Sequence, residues 1–240
     1  MASLTARLSD LAADVLFTSV RVTQITELAP QFLTVTLGSD AFTRATWTPG
    51  DKLQLRPRRG SLAMRTYTPI NWNPDDGTSE VIAYRHGAGP AVRWFDNAAV
   101  GIDAEVFGPS RSLDISDTVE RTIFVGDETS VGLAYALHPL NPGATYFFEA
   151  HDPAVLSAVL TTLDITHHTQ VIAKSSDHSE LLQLIVDAIE PAEAGASVDL
   201  VVTGDAATVN AIRRTLKSRP DLTPRIKARA YWASGRTGLS

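Results

Sequence analysis

The hydrophobic pattern of this chain changes between Asp114 and Glu120, and that change constrains the fold more than any other feature. Before it, short segments such as Val20–Ile25 and Phe32–Leu37 alternate apolar and polar residues. After it, continuous apolar runs such as Thr122–Val125 alternate with segments of helical spacing. Alternation predicts strands with one buried face, whereas continuous runs between helices predict a parallel sheet that is covered on both faces.

The pattern therefore predicts a β-barrel followed by an α/β domain. The first domain, residues 1–117, is a closed six-stranded antiparallel barrel, and the second, residues 118–240, has a parallel sheet of the nucleotide-binding kind. The barrel strands are predicted at 20–25, 32–37, 53–56, 64–71, 79–86 and 103–107, with helices at 3–16 and 90–95. The α/β strands are predicted at 122–125, 146–148, 170–173 and 199–202, with helices near 129–138, 153–162, 178–190 and 206–218.

Composition excludes several classes of function. The formal net charge of -6 argues against a general nucleic-acid binder. The absence of cysteine excludes disulfides, iron–sulfur clusters and thiol catalysis, so redox chemistry would need an organic cofactor. The six histidines show no metal-site spacing, and we predict no metal site. We see neither a membrane span nor a secretory signal, and expect a cytoplasmic protein without membrane insertion.

The segment Arg65-Thr66-Tyr67-Thr68 lies on a predicted strand and combines a cation, an aromatic ring and hydroxyl groups. Arg65 and Tyr67 would share one face, with Thr68 on the other face or near the strand end. A flavin needs a cation for its phosphates, a flat surface for its ring and a hydrogen-bonding group near the ring nitrogen. The alternative is an exposed strand face that binds nothing.

Two further turns have the composition of anion sites. His86-Gly87-Ala88-Gly89-Pro90-Ala91 enters a short predicted helix, where glycines and free N–H groups would suit a diphosphate. The alternative is a glycine-rich turn without a ligand. Gly126-Asp127-Glu128-Thr129 follows the first parallel strand, where nucleotides bind in open α/β sheets. Here the alternative is that Asp127 and Glu128 cap the helix that follows.

In this order along the chain, these segments resemble the siderophore-interacting protein family of the ferredoxin-reductase-like superfamily. The resemblance extends from about Val20 to Gly235. Its marks are Arg65–Thr68, His86–Ala91 with Trp94, Gly108-Pro109, Gly126–Thr129, and Gly235 after Tyr231-Trp232. Tyr231 and Trp232 are alternatively residues that close a sheet edge.

The resemblance implies FAD on the barrel domain and NADH or NADPH as the electron donor. Tyr67 and Thr68 are the implied catalytic residues, through ring stacking and a hydrogen bond near the reactive flavin nitrogen. The implied cofactor-binding residues are Arg65, Thr66, Tyr67, Thr68, His86, Gly89, Pro90, Ala91 and Val92 for FAD, and Gly126, Asp127, Glu128 and Thr129 for the nicotinamide donor. The chain departs from the family pattern at Val92, at Ser130-Val131-Gly132 and at Ala233-Ser234.

The implied activity is FAD-dependent reduction of a ferric siderophore, which releases iron as Fe(II). A reduced ferredoxin is an alternative electron donor. Candidate cations for an anionic siderophore are Lys174, Arg93 and Arg236, with Arg56, Arg58 and Arg59 in a nearby loop. Two other functions stay open: a general NAD(P)H–flavin oxidoreductase with another acceptor, and a flavin- or siderophore-binding protein without turnover.

Overall fold

The computed structural model describes residues 17–56, 64–87, 89–190 and 197–235. The chain divides into two compact units. The first comprises the chain up to Glu27 together with Gln31–Ser112, and the second comprises Leu28–Pro30 and the chain from Leu113 onward. This division falls slightly before the predicted boundary at 117/118. The helix predicted at 3–16 lies outside the described residues.

The first unit contains a seven-stranded sheet in which all the resolved strand pairs are antiparallel. Its strand order is β4-β3-β7-β1-β2-β6-β5. The strands are β1 (Thr18–Ala29), β2 (Phe32–Gly38), β3 (Lys52–Arg56), β4 (Arg65–Tyr67), β5 (Pro69–Asn73), β6 (Thr78–Tyr84) and β7 (Asp103–Ser110). A 3₁₀ turn covers Asp40–Thr43, and helix α1 covers Pro90–Asp96.

This sheet corrects the prediction of six strands in a closed barrel, because it has seven strands and is barrel-like but open. The strand predicted at 64–71 is broken after Tyr67, and Pro69 begins β5. Proline lacks an N–H for the strand ladder and is tolerated at the first residue of a strand. Strands β4 and β5 form opposite edges of the sheet, yet only Thr68 separates them. The sheet must therefore curl until its two edges meet at Thr68.

The core of the first unit lies on the concave face of this curled sheet. Alternate residues of the strands are fully buried, among them Val22, Val35 and Val106 at 0% exposure. Phe95 of α1 packs into the same cluster, and Tyr67 of β4 lies against it. Burial of one apolar aromatic side chain contributes about 2 kcal/mol, so Phe95 holds the short helix α1 in place beside β4.

The second unit is a five-stranded parallel sheet in the order β10-β9-β8-β11-β12. Its last strand, β12, was not predicted, because Arg225–Trp232 alternates basic and apolar residues at a sheet edge rather than forming an apolar run. The strands are β8 (Thr122–Gly126), β9 (Thr145–Ala150), β10 (Thr169–Ala173), β11 (Asp199–Asp205) and β12 (Arg225–Trp232). The helices are α2 (Val131–Leu137), α3 (Pro153–Thr162), α4 (Ser179–Ile189) and α5 (Ala206–Ser218), and a 3₁₀ turn covers Glu128–Ser130.

The order of these strands reverses direction between β8 and β11. The chain adds β9 and β10 on one side of β8 and then crosses back to add β11 and β12 on the other. Right-handed crossovers then place the first two helices on one face and the last two on the other. Helices α4 and α5 accordingly pack against Val125 and Val202 on a single face. The carboxyl ends of β8 and β11 form the switch point, where open α/β sheets bind ligands.

An ion pair between a buried aspartate and an exposed arginine joins β11 to β12 at the opposite, amino end of the sheet. Asp199 is fully buried, and Arg225 donates to its two carboxylate oxygens at 2.6 and 2.7 Å. The backbone N–H of Val119 donates to the same carboxylate at 3.0 Å. Burial alone would raise the pKa of Asp199, but these hydrogen bonds outweigh burial and hold the pKa below its ordinary value.

We predict that Asp199→Ala lowers the free energy of unfolding by about 2 kcal/mol, because it removes charge-assisted hydrogen bonds and leaves the Val119 N–H without its acceptor. Urea denaturation measures this loss. Asp221→Ala is the matched control, since Asp221 pairs with Arg219 where both side chains are exposed, and it should cost less than about 0.5 kcal/mol. Equal losses in the two variants would contradict the prediction.

Candidate functional site

Strand β4 brings the predicted cation and aromatic ring onto one face of the first unit. Arg65 pairs in register with Leu55 and Tyr67 with Leu53, while Thr66 between them is exposed. The Tyr67 ring meets Phe95 edge-on at a centroid distance of 5.3 Å. Burial raises the pKa of Tyr67 above its ordinary value, against the opposing effect of Arg65. Tyr67 is therefore a neutral phenol at physiological pH.

Thr68 is the residue at which the two sheet edges meet, directly after Tyr67. It is half-buried and belongs to neither strand. A hydroxyl at this point donates or accepts a hydrogen bond without breaking a strand ladder. Thr68 thus lies directly after the predicted ring residue, at the junction of β4 and β5.

The guanidinium of Arg65 lies next to the glycine turn that begins α1. A Cβ placed on Gly89 would be 3.5 Å from Arg65 Nη2, and Nη1 donates to the carbonyl of Met64 at 3.0 Å. Gly87 has a φ of +71°, and a Cβ there would meet nothing within 4 Å. A cation beside an open glycine turn suits a phosphate group. These residues fit the phosphates of a flavin nucleotide.

The other residues predicted for this turn lie as follows. The His86 ring is exposed and stacks on Tyr84 at a centroid distance of 5.0 Å. Gly89 is the N-cap of α1, Pro90 is its first residue, Ala91 is buried and Val92 is half-buried. Ala88 lies outside the described residues.

In the second unit, Asp127 occupies the switch point with a buried carboxylate. One oxygen, Oδ1, accepts from the Thr129 N–H at 2.9 Å, the Thr129 hydroxyl at 2.5 Å and the Ser130 hydroxyl at 3.3 Å. The other, Oδ2, accepts from the indole N–H of Trp232 at 2.7 Å. Burial raises the pKa of Asp127, partly offset by the hydrogen bonds from Thr129 and Trp232. The turn is therefore capped by its own aspartate.

Two glycines make room for this arrangement. Gly204, at the end of β11, has a φ of +106°, and a Cβ there would lie 2.5 Å from the carboxyl carbon of Asp127. A Cβ on Gly126 would lie 2.5 Å from Cβ of Ser130. The Asp127 carboxylate thus packs directly on the backbone of the neighbouring strand. It fills the gap between the ends of β8 and β11.

Two buried glutamates beside Asp127 each contact a histidine. Glu128 accepts from the backbone N–H of His151 at 2.6 Å and lies 3.2 Å from its Nδ1. Glu149 lies 2.8 Å from Nδ1 of His178 and accepts from the Thr208 hydroxyl at 3.2 Å. The carboxyl edge of the sheet therefore carries Glu149 in addition to Asp127 and Glu128, the two acidic residues that the sequence analysis placed there.

The candidate substrate cation Lys174 is held at the same edge. Its Nζ lies 2.7 Å from Oδ2 of Asp205 and 4.6 Å from the centroid of the Trp232 ring. Burial would raise the pKa of Asp205, but the hydrogen bond from Lys174 outweighs it and the pKa is lowered. Lys174 is thus largely neutralised by Asp205. Arg93 is exposed on α1, and Arg236, Arg58 and Arg59 lie outside the described residues.

Arg56 is a structural residue rather than a free cation. It is buried and bonds Glu105 from its Nε at 2.7 Å. Its guanidinium carbon also lies 3.7 Å from the centroid of the Phe17 ring. Because the guanidinium charge of Arg56 is already balanced by Glu105 and covered by the Phe17 ring, little of it is available to a ligand.

Sequence reasoning missed Glu149, His178 and Thr208, and did not pair Trp232 with Asp127. Glu149 lies in the strand β9, and His178 precedes α4 with a φ of 55°. The available signal was position, because the carboxyl ends of parallel strands lie along one edge. Within the described ranges, this edge of the sheet included, no group of three or more His, Asp or Glu side chains is arranged to hold a metal ion. No helix of the described residues has the length and apolar character needed to cross a membrane.

Comparison with solved structures confirms the resemblance at the level of the fold. A siderophore-interacting protein from Acinetobacter baumannii matches with a TM-score of 0.72 and 19% identity, over 91% of each chain. SipS, a siderophore-interacting protein from Aeromonas hydrophila, matches with a TM-score of 0.74 and 18% identity, over 92% of each chain. The ferredoxin reductase in carbazole 1,9a-dioxygenase matches with a TM-score of 0.68 and 20% identity, over 90% of this chain and 68% of that one.

The fold is therefore ferredoxin-reductase-like, with a barrel-like antiparallel sheet and a parallel α/β sheet. The chain matches no protein-family model and no curated protein in sequence.

We predict that Gly204→Ala costs about 2 kcal/mol more unfolding free energy than Gly235→Ala, because only the first forces a methyl group into the Asp127 carboxylate. Both glycines have positive φ, and a Cβ on Gly235 would meet nothing within 4 Å. The control variant therefore also places an alanine at positive φ, but without the clash. Urea denaturation measures the difference, and equal costs would show that Asp127 does not pack against Gly204.

Proposed function

We propose that the chain is an FAD-dependent oxidoreductase that reduces ferric siderophores with electrons from NADH or NADPH. The observation that carries this proposal is the Arg65 guanidinium beside the open glycine turn at Gly89, on the strand that also presents Tyr67. The ferredoxin-reductase-like fold supports it. A flavin, when bound, supplies both two-electron and one-electron chemistry.

The residues of the first unit bind and orient the cofactor. Arg65 pairs with phosphate, Tyr67 presents a neutral aromatic ring, and Thr68 offers a hydroxyl to the reactive nitrogen of the flavin. The backbone of the glycine turn would admit the diphosphate, since glycine has no side chain there. The proposed FAD-binding residues are Arg65, Thr66, Tyr67, Thr68, His86, Gly89, Pro90, Ala91 and Val92.

The second unit is proposed to receive the electron donor. The turn Gly126–Thr129 would face the nicotinamide, with Asp127 and Glu128 holding the turn rigid through their hydrogen bonds. Each NAD(P)H gives one hydride, which is two electrons, and two Fe(III) ions take one electron each. The products are NAD(P)⁺, one proton and two Fe(II). No acid–base residue is needed for this balance.

The substrate is proposed to be an anionic ferric siderophore in the cytoplasm. Cations favour such a ligand by charge complementarity. Lys174, Arg93 and Arg236 are the proposed contacts, although Asp205 offsets much of the charge on Lys174. Reduction to Fe(II) weakens the complex and releases the metal.

A second candidate function is a reductase that exchanges electrons with a protein, such as a ferredoxin. The observation that favours it is the fold shared with the ferredoxin reductase in carbazole 1,9a-dioxygenase. Such a protein would reduce many ferric chelates slowly and without saturation.

The proposed activity is tested by capturing Fe(II) with a coloured ferrous chelator under anaerobic conditions. The FAD-loaded protein, NADH or NADPH and a ferric siderophore should give two Fe(II) per nicotinamide oxidised, with a rate that saturates in siderophore. Equal, non-saturating rates with all ferric chelates would favour the second function. Absence of Fe(II) with every chelate would refute the reductase.

We predict that Arg65→Ala weakens FAD binding about 10- to 100-fold, because a charge-assisted hydrogen bond to phosphate contributes about 1.5–3 kcal/mol. Arg21→Ala is the matched control, since Arg21 pairs with Asp103 on the exposed surface of the same unit. Its FAD affinity should be unchanged. Quenching of flavin fluorescence on titration measures both dissociation constants, and an unchanged value for Arg65→Ala would contradict the assignment.

A further inference from the structure

The switch point between β8 and β11 is where doubly-wound folds hold the diphosphate of a dinucleotide. That binding mode needs free N–H groups at the start of the helix after the first strand, and close access along glycine backbone. In this chain the corresponding positions are the turn after Gly126 and the end of β11 at Gly204.

Two N–H groups of this turn are already bonded within it. The Thr129 N–H donates to the Asp127 carboxylate at 2.9 Å, and the Ser130 N–H donates to the Asp127 carbonyl at 2.9 Å. The hydroxyl groups of Thr129 and Ser130 also donate to the carboxylate. A diphosphate placed here would have to displace the aspartate from its own turn.

The space along Gly204 is also filled. The Asp127 carboxylate lies where a Cβ of Gly204 would be, with 2.5 Å between that position and its Oδ2. Trp232 donates to the same oxygen at 2.7 Å, and Lys174 lies over the indole ring. In doubly-wound folds, glycine backbone lets a phosphate approach closely. In this chain, Gly204 lets the Asp127 carboxylate approach instead.

The charge of this edge opposes a diphosphate as well. Asp127, Glu128 and Glu149 are 3%, 4% and 1% exposed, and all three carboxylates lie at or next to the strand ends. The basic side chains at this edge are already engaged, because Lys174 pairs with a fourth carboxylate, Asp205, and His151 and His178 lie against Glu128 and Glu149. Like charges brought together in a site of low dielectric constant repel strongly.

We propose that Asp127 is a specificity-determining residue that excludes the adenosine diphosphate half of a dinucleotide from the switch point. The donor is then recognised through its nicotinamide and the ribose attached to it alone. This inference rests on the proposed function for the identity of the donor. Its chemical consequence is that reduced nicotinamide mononucleotide serves as well as NADH.

Two measurements on the FAD-loaded protein test the inference. FAD must be bound, because ADP-ribose resembles half of FAD and would otherwise enter the flavin site. Anaerobic flavin bleaching should give apparent dissociation constants for NADH and reduced nicotinamide mononucleotide within about threefold of each other. Calorimetry should show no binding of ADP-ribose at millimolar concentration. NADH binding about 30-fold tighter than the mononucleotide, or ADP-ribose binding as tightly as NADH, would overturn the inference.

The variant Asp127→Ala tests whether Asp127 is the residue that excludes ADP-ribose. It removes the carboxylate and frees the Thr129 N–H, so ADP-ribose binding should become measurable by calorimetry. Asp152→Ala is the matched control, because Asp152 also caps a helix after a strand of the same sheet, through Ala154 and Val155. That variant should gain no ADP-ribose binding. A folded Asp127→Ala protein that still rejects ADP-ribose would refute the role of Asp127.

The experiments distinguish an error in the proposed NAD(P)H donor from an error in the proposed exclusion by Asp127. If neither nicotinamide compound bleaches the flavin, the proposed NAD(P)H donor is wrong, and calorimetry with ADP-ribose still tests the exclusion directly. If Asp127→Ala does not fold, the two wild-type measurements decide. Each outcome therefore either supports or refutes the exclusion of ADP-ribose from the switch point.

Discussion

The buried carboxylate of Asp127 is the interaction on which the carboxyl edge of the parallel sheet depends. It caps the turn after β8 through Thr129, packs on the backbone of β11 at Gly204 and accepts from Trp232 at the end of β12. Three neighbouring strands are thereby tied together at their ends. Because burial disfavours the charge, four hydrogen bonds to one carboxylate are needed to hold it there.

In the first unit, the constraint is where the two edges of a curled sheet lie. Its two edge strands are neighbours in the chain, so the edges meet at Thr68 without a closing ladder. The same stretch presents Arg65, Tyr67 and Thr68, and Phe95 anchors α1 beside it. The candidate flavin residues therefore lie where the two edges of the sheet meet, beside helix α1.

Much of this fold follows from local sequence patterns, and the parts that do not are long-range. Alternation and apolar runs predicted the two sheet types, because burial of one or both strand faces leaves a direct mark on the sequence. To predict the break at Thr68, the effect of Pro69 on the strand ladder had to be taken into account. Strand β12 was missed because it lacks an apolar run. The pairing of Asp127 with Trp232 joins residues 105 positions apart, and no local pattern encodes it.

Whether this chain carries FAD and passes electrons through it is decided by one visible spectrum followed through an anaerobic titration. The protein is loaded with FAD, separated from free flavin, and treated with NADH or NADPH and then with a ferric siderophore. We expect the flavin bands to stay with the protein, bleach with the donor and return with the siderophore. Complete separation of the flavin from the protein would refute the proposed role of FAD.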